Sequence, residues 1–146
     1  MAFEYFSNPQ EREPVKAILL AAGPATLPGD DVPLILKPLS GKAIVDYVVE
    51  NMLQFAACED IYVVVGYEAD QVRRHLDQVF GLGLNYVHQQ ESRGTAHAVL
   101  QTKPQLGSFE GDILILYADT PLFRASSIRG LLNRHRLTNA AVTLLT

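Results

Sequence analysis

The sequence predicts an α/β domain, doubly wound, with a mostly parallel sheet and helices on both faces. Three observations predict it. Near-continuous apolar runs at Val15 to Gly23, Ile61 to Gly66 and Asp112 to Tyr117 have the character of strands buried on both faces. Segments of helical period lie between them, and the alternation of the two at this spacing demands crossover connections, which are parallel and right-handed.

The first run, V-K-A-I-L-L-A-A-G, is broken only by Lys16 and leads into the short loop Pro24, Ala25, Thr26, Leu27, Pro28, Gly29. Val32 to Leu39 is apolar but carries two prolines, so it is expected as an extended connector ending in the turn Ser40, Gly41, Lys42. From Ala43 a helix is expected with Ile44, Tyr47, Val48, Met52 and Phe55 on its inner face. Ile61 to Gly66 is the second strand. Asp70 is expected to start a second helix with Val72, Leu76 and Val79 inward and Arg73, Arg74 and Asp77 outward. Leu84 to His88 makes a third strand, and a polar loop, H-Q-Q-E-S-R-G-T, precedes a helix over Ala96 to Gln101. Asp112 to Tyr117 is the fourth strand. Ser126 is expected to cap a helix through Arg136 with Ile128, Leu131 and Leu132 inward, and Ala141 to Leu145 has the pattern of another strand.

In the common topology of such folds the chain reverses direction between the first and fourth strands, which makes the Gly23 loop and Asp119 neighbours at a crevice. Residues 1–14 read as a polar leader with an aromatic patch, Phe3, Tyr5 and Phe6, and residues 15–146 as one domain. The domain reads as truncated at its C-terminus. A sheet ending on residues 141–146 would leave an apolar edge for further chain or another subunit to cover.

Composition narrows the function classes. A hydrophobic fraction of 48% with 19% charged residues suits a globular protein, and no run is long enough for a membrane span. A net charge of −4 argues against an electrostatic nucleic-acid binder, and Arg124, Arg129, Arg134 and Arg136 read as the solvated face of a helix. One cysteine, Cys58, excludes an internal disulfide and a multi-cysteine metal cage, which fits a reduced, cytoplasmic setting.

Three places can carry chemistry. Gly23, at the end of the first strand, lets the backbone approach a phosphate, or merely turns the chain; the loop has neither the Gly-Lys-Ser/Thr of a phosphate-binding P-loop nor the later glycines of a dinucleotide fingerprint. Asp119, at a strand's carboxyl end, suits either a Mg²⁺ ligand or a turn acid. Gln89, Gln90, Glu91, Arg93, Gly94 and Thr95 suit either the recognition of a base edge or a solvated loop with Thr95 capping the next helix. His75, His88, His97 and His135 do not repeat at metal-ligand spacing and are expected at the surface or the edge of the core.

I-L-L-A-A-G (Ile18 to Gly23), P-L-I-L-K-P-L-S-G-K (Pro33 to Lys42), Q-Q-E-S-R-G-T-A-H-A (Gln89 to Ala98) and L-Y-A-D-T-P-L (Leu116 to Leu122) together resemble the sugar-phosphate nucleotidyltransferases. The resemblance is closest to the uridyltransferase domain of bifunctional N-acetylglucosamine-1-phosphate uridyltransferases, and it runs in order from Val15 to Thr146. It implies the N-terminal part of the Rossmann-like nucleotide-diphospho-sugar transferase fold. It also implies a nucleotide, UTP favoured, lying against Leu20, Ala21, Ala22, Gly23, Gln89, Gly94 and Thr95, with Mg²⁺ on Asp119. The implied reaction joins the nucleotide to a sugar 1-phosphate, N-acetylglucosamine 1-phosphate favoured, and releases pyrophosphate.

The family's strand-1 loop reads G-x-G-T-R-M with P-K a few residues on. Gly23, Thr26 and Pro33 match it, whereas Leu27 stands at the arginine, Leu34 at the lysine and Ala25 at the second glycine, and Pro24 removes a backbone donor. Loss of two charge-assisted contacts to a triphosphate is expected to slow transfer on the order of 10⁴-fold, with Lys37 and Arg93 as the nearest substitutes. The alternative is therefore a catalytically degenerate domain that keeps the fold for nucleotide sensing or subunit contact.

Overall fold

The computed structural model of the protein describes residues 14–23 and 29–145. The aromatic leader residues and Pro24, Ala25, Thr26 and Leu27 lie outside the described residues. A central strand, β1 (Val15–Ala21), pairs in parallel with β4 (Ile61–Val65) on one side and β6 (Asp112–Tyr117) on the other. β5 (Asn85–His88) joins β4, so the sheet order is β5-β4-β1-β6, all parallel. The expected reversal between the first and fourth strands is thus present, at β1.

Every residue of β4 is buried, as its unbroken apolar run of Ile61, Tyr62 and three valines requires of a strand covered on both faces. Along β1, alternate residues serve opposite layers. Ala17, Leu19 and Ala21 join the core built with α1 (Ile44–Met52), α2 (Ala69–Phe80) and α5 (Ala125–Leu137). Ile18 joins Tyr62, Val64, Val87 and Ala98 in a second core under α3 (Thr95–Gln101), with Leu106 of α4 (Lys103–Leu106) packed against it. Lys16 is tolerated inside β1 because its Nζ donates to the Tyr62 hydroxyl at 3.0 Å and sits over the Phe109 ring, 5.0 Å from its centroid.

The expected extended connector is more compact. A single 3₁₀ turn, Leu34–Leu36, follows Pro33, and a short hairpin joins β2 (Pro38–Leu39) to β3 (Lys42–Ala43). Its turn needs left-handed backbone at both Ser40 (φ 51°) and Gly41 (φ 88°), the combination that matches the twist of a tight hairpin.

Other expectations fail at the level of faces and caps. Helix α1 buries Val45, Val48, Val49 and Met52, while Ile44, Tyr47 and Phe55 are half-buried. Asp46, Glu50 and Asn51 interrupt its apolar residues, and Asp46 is buried with the valines; the Tyr47 hydroxyl donates to the Leu39 carbonyl at 2.7 Å and holds that side against the hairpin. In α2 Val72 and Leu76 are buried but Val79 is 49% exposed, and Asp70 lies inside the first turn, behind Glu68 in left-handed conformation. Asp77 turns partly inward to accept the Tyr86 hydroxyl at 2.9 Å; burial and that carboxylate push the Tyr86 phenol well above its ordinary pKa. Arg124, not Ser126, precedes α5, and Leu131 is half-buried.

Ala141 to Leu145 forms no strand. The segment is instead held to α5 through the His135 Nδ1 and Thr143 Oγ1 contact at 2.9 Å. Among the described residues β6 is therefore the edge strand on this side, and its Ile113, Ile115 and Tyr117 are 41 to 49% exposed. Ile113 and Ile115 border an apolar groove of about 590 Å³ between α3, α4 and residues 141–144. Its acid, Asp112, is already engaged by Arg136 at 2.6 Å. Among the described residues no helix is long and apolar enough to cross a membrane.

Candidate functional site

Open parallel sheets bind ligands beyond the carboxyl ends of their strands, where the order reverses. Here that place lies between the ends of β1 and β6. The last residues of β1 and the start of its loop, Leu20, Ala21, Ala22 and Gly23, form one wall of a cleft of about 210 Å³. Tyr117 and Asp119, at the end of β6, form the opposite wall. Gln89, Ser92, Gly94, Thr95 and Ala98, from the loop after β5 and the start of α3, close the third side, and Ile35 of the 3₁₀ turn completes the lining. The sequence-predicted residues Leu20 to Gly23, Gln89, Gly94, Thr95 and Asp119 are therefore brought together.

Each wall is fixed by a local rule. The β1–β6 ladder runs one step past Tyr117, with the Ala118 N–H donating to the Leu20 carbonyl at 3.1 Å. Ala118 is buried, so Asp119 emerges exposed at the rim, and Thr120 closes the turn by donating its hydroxyl to the Tyr117 carbonyl at 2.9 Å. On the other side the Gln89 N–H donates to the Val65 carbonyl at 2.8 Å, which extends the β4–β5 ladder into the loop. Gly94 then takes φ 92°, backbone that favours glycine, and Thr95 begins α3 without capping it through its side chain. The Tyr117 hydroxyl donates to Thr95 Oγ1 at 3.5 Å across the cleft.

Gly66 sets the spacing behind β1. A Cβ there would stand 2.9 Å from the Ala22 carbonyl oxygen and 3.1 Å from the Ala22 Cβ. Gly66→Ala is expected to push the Ala22 backbone into the cleft and to lower stability by about 1–2 kcal/mol in urea unfolding. A change below about 0.3 kcal/mol would show that the loop gives way freely.

Of the described residues lining the cleft, Asp119 alone is charged. Neither expected substitute cation reaches it: Lys37 is paired with Asp30, and Arg93 Nη2 with Glu91 at 2.5 Å. Leu34 sits half-buried in the 3₁₀ turn and does not line the cleft, while Ile35 beside it does. Among the described residues no three His, Cys, Asp or Glu side chains gather as a metal cage. Asp119 offers one exposed carboxylate, a donor set that fits Mg²⁺ held chiefly by substrate phosphates and water.

Sequence reasoning missed Ser92, Ile35, Ala98 and Tyr117 as lining residues. His97 is expected at the surface or the edge of the core, and the structure has it half-buried. The His97 ring lies between two amides, with Nδ1 2.9 Å from Gln89 Nε2 and Nε2 3.2 Å from Gln101 Nε2. Its position, eight residues from Gln89 across a loop and a helix start, follows no spacing rule that could have pointed to it.

A family model described as MobA-like NTP transferase domain matches residues 17–146. The "Bifunctional protein GlmU" of Geobacillus sp. (strain WCH70) is 41% identical over 130 residues, which is 89% of this chain and 27% of that protein. The protein of the same name from Gloeothece citriformis is 36% identical over 132 residues, 90% of this chain and 29% of that protein. The chain thus spans under a third of the length of these curated relatives. Among solved structures, a mannose-1-phosphate geranyltransferase from Thermus thermophilus superposes with a TM-score of 0.68 at 21% identity, covering 87% of this chain and 38% of that one. A CMP:2-keto-3-deoxy-manno-octonic acid synthetase complexed with CTP superposes at 0.64 with 23% identity, covering 88% of this chain and 49% of that one, a likeness of fold. With its sequence matched over residues 17–146, nearly the whole of the domain, the chain belongs to the MobA-like NTP transferase domain family.

Proposed function

We propose that the domain binds a nucleoside triphosphate, UTP favoured, with Mg²⁺ at Asp119, for transfer of the nucleotidyl group to a sugar 1-phosphate, N-acetylglucosamine 1-phosphate favoured. The supporting observation is the convergence of the β1 loop, the Gln89 to Thr95 segment and Asp119 on one cleft at the switch point of the sheet. Its volume, about 210 Å³, is below that of a site enclosing a whole drug-sized ligand and suits a base with its ribose, leaving the phosphates at the open rim near Asp119.

In the transfer, an oxygen of the sugar 1-phosphate attacks the α-phosphorus of the nucleotide, the bond to the β-phosphate oxygen breaks, and pyrophosphate leaves. No covalent intermediate on the protein is required; its residues position and polarise. Gln89 and the backbone around Gly94 hold the base, the Ala21 to Gly23 backbone approaches the ribose and phosphates, and Asp119 anchors the cation. Bound Mg²⁺ would supply the neutralisation of phosphate charge.

A second reading, a degenerate domain that binds nucleotide without transferring it, is favoured by the charge of the lining, where Asp119 is the only charged described residue. One experiment separates the two. Protein with Mg²⁺, UTP and N-acetylglucosamine 1-phosphate is assayed for pyrophosphate, and UTP binding is measured by calorimetry. Pyrophosphate above the no-sugar blank supports transfer; heat without pyrophosphate supports sensing; neither would remove nucleotide function. If Leu27 and Leu34 silence the site, Leu27→Arg with Leu34→Lys should tighten triphosphate binding by at least about tenfold.

A further inference from the structure

Two features of the chain take no part in the cleft. One is the apolar groove of about 590 Å³ along β6, with Leu100, Phe109, Ile113, Ile115 and Leu144 in its lining. Leu100 is 61% exposed and Leu144 77%, so this apolar surface is left uncovered by the described residues. The other is the leader, residues 1–13, outside the described residues, with Phe3, Tyr5 and Phe6 near its start. Apolar surface of this extent on one and a cluster of aromatic side chains on the other both call for a partner.

The chain enters the domain at the mouth of that groove. The Asp112 N–H donates to the Pro14 carbonyl at 3.1 Å. Gly111 allows the approach, since a Cβ there would stand 2.5 Å from the same carbonyl oxygen and 2.6 Å from Cζ of Phe109. Phe109, Gly111 and Asp112 all line the groove, so whatever precedes Pro14 starts beside it. Tyr5 is nine residues from Pro14, a reach of up to about 30 Å. The six residues of β6 extend about 20 Å. Asn8-Pro9 is a turn signal between the aromatic residues and Pro14, and a turn there returns residues 3–6 along β6, opposite to it in direction.

Charge points the same way. Of the charged residues lining the groove, Asp112 is taken by Arg136, whereas Lys103 is exposed and makes no ion pair among the described residues. On the α5 side, Arg129 and Arg134 are also exposed. The leader brings Glu4, Glu11 and Glu13 against a single Arg12. A two-fold pairing of copies across this groove would instead gather Lys103 and the α5 arginines of both chains around one interface, like charges together.

We propose that residues 1–13 fold back as a strap over the open edge of β6, with Phe3, Tyr5 and Phe6 seated in the groove. The strap covers an apolar edge strand that would otherwise pair with another chain.

A spin label on the full chain tests it, placed at Ser7→Cys with Cys58→Ser to leave one attachment point. The methyl signals of Ile113 and Ile115 are expected to lose most of their intensity, and those of Ile35, at the cleft, to keep it. No loss at Ile113 and Ile115 would overturn the proposal. So would an equal loss in a mixture where the label and the observed methyls sit on different chains, since a second copy would then occupy the groove. The combined change Phe3→Ser, Tyr5→Ser and Phe6→Ser, outside the packed core, should raise the fluorescence of an added apolar dye by at least about threefold. It should also produce self-association in sedimentation. Unchanged dye binding with an unchanged sedimentation coefficient would refute the strap.

Discussion

Replacing Asp119 by alanine is expected to move UTP binding in opposite directions with and without magnesium. The carboxylate is the only charge among the described residues lining the cleft, and it stands exposed at the rim where the phosphates would lie. In the absence of the ion it repels a triphosphate, so Asp119→Ala should tighten metal-free UTP by roughly fivefold to tenfold, the effect of one unit charge at close range in a half-solvated site. With magnesium present the same carboxylate becomes a ligand, and its loss should weaken Mg²⁺-dependent binding by about 100-fold and remove any pyrophosphate release. Titrations of UTP with and without the ion, on both proteins, give four affinities. A uniform loss in both conditions would mean that Asp119 only supports the turn after β6.

The second large effect is expected far from the cleft. Asp46, in the first turn of α1, is only 4% exposed, and its carboxylate meets His75 Nε2 of α2 at 2.7 Å. The histidine is the more exposed partner, with 28% of its side chain accessible against 5% for the acid. His75→Ala therefore leaves a carboxylate in the core without its side-chain partner, and should lower stability by about 3 kcal/mol, near the low end for broken buried pairs because water reaches the histidine side. Adding Asp46→Ala removes the stranded charge and should recover at least about 1 kcal/mol of that loss. Urea unfolding of the two single variants and the double measures the coupling. Strict additivity would mean that the two groups act independently.

The strands were legible in the sequence because their chemistry has one reading. Asp112 to Tyr117 was bounded as observed, and the unbroken apolar run from Ile61 admitted little but a buried strand. Right-handed crossovers then limited the order of strands, and with the order came the meeting of Gly23 and Asp119. What escaped was decided by tertiary contact. The inner face of α1 was settled by Tyr47 reaching Leu39, and Val79 is exposed although its spacing would have put it inside. Ala141 to Leu145 has the composition of a strand, but it does not pair with the open edge of β6, and His135 holds Thr143 instead. In the site, the lining backbone at Ala21 to Gly23 and the acid were found from motif and position. The contact of the His97 ring with Gln89 was not, because it joins a ring nitrogen to an amide across a loop and a helix start.

The order of the sheet also has a meaning in time. On a ribosome the Gly23 wall leaves about a hundred residues before Asp119, a lag of roughly 5–20 s at ordinary elongation rates. During that interval β1 can pair with β4, and β4 with β5, but the strand that carries the acid wall is still unmade. A nascent chain therefore has two sides of the cleft and not the third. Retention on an immobilised nucleotide, applied to chains arrested at successive lengths, would turn on only after β6 has emerged and docked, and so would report the completion of the sheet.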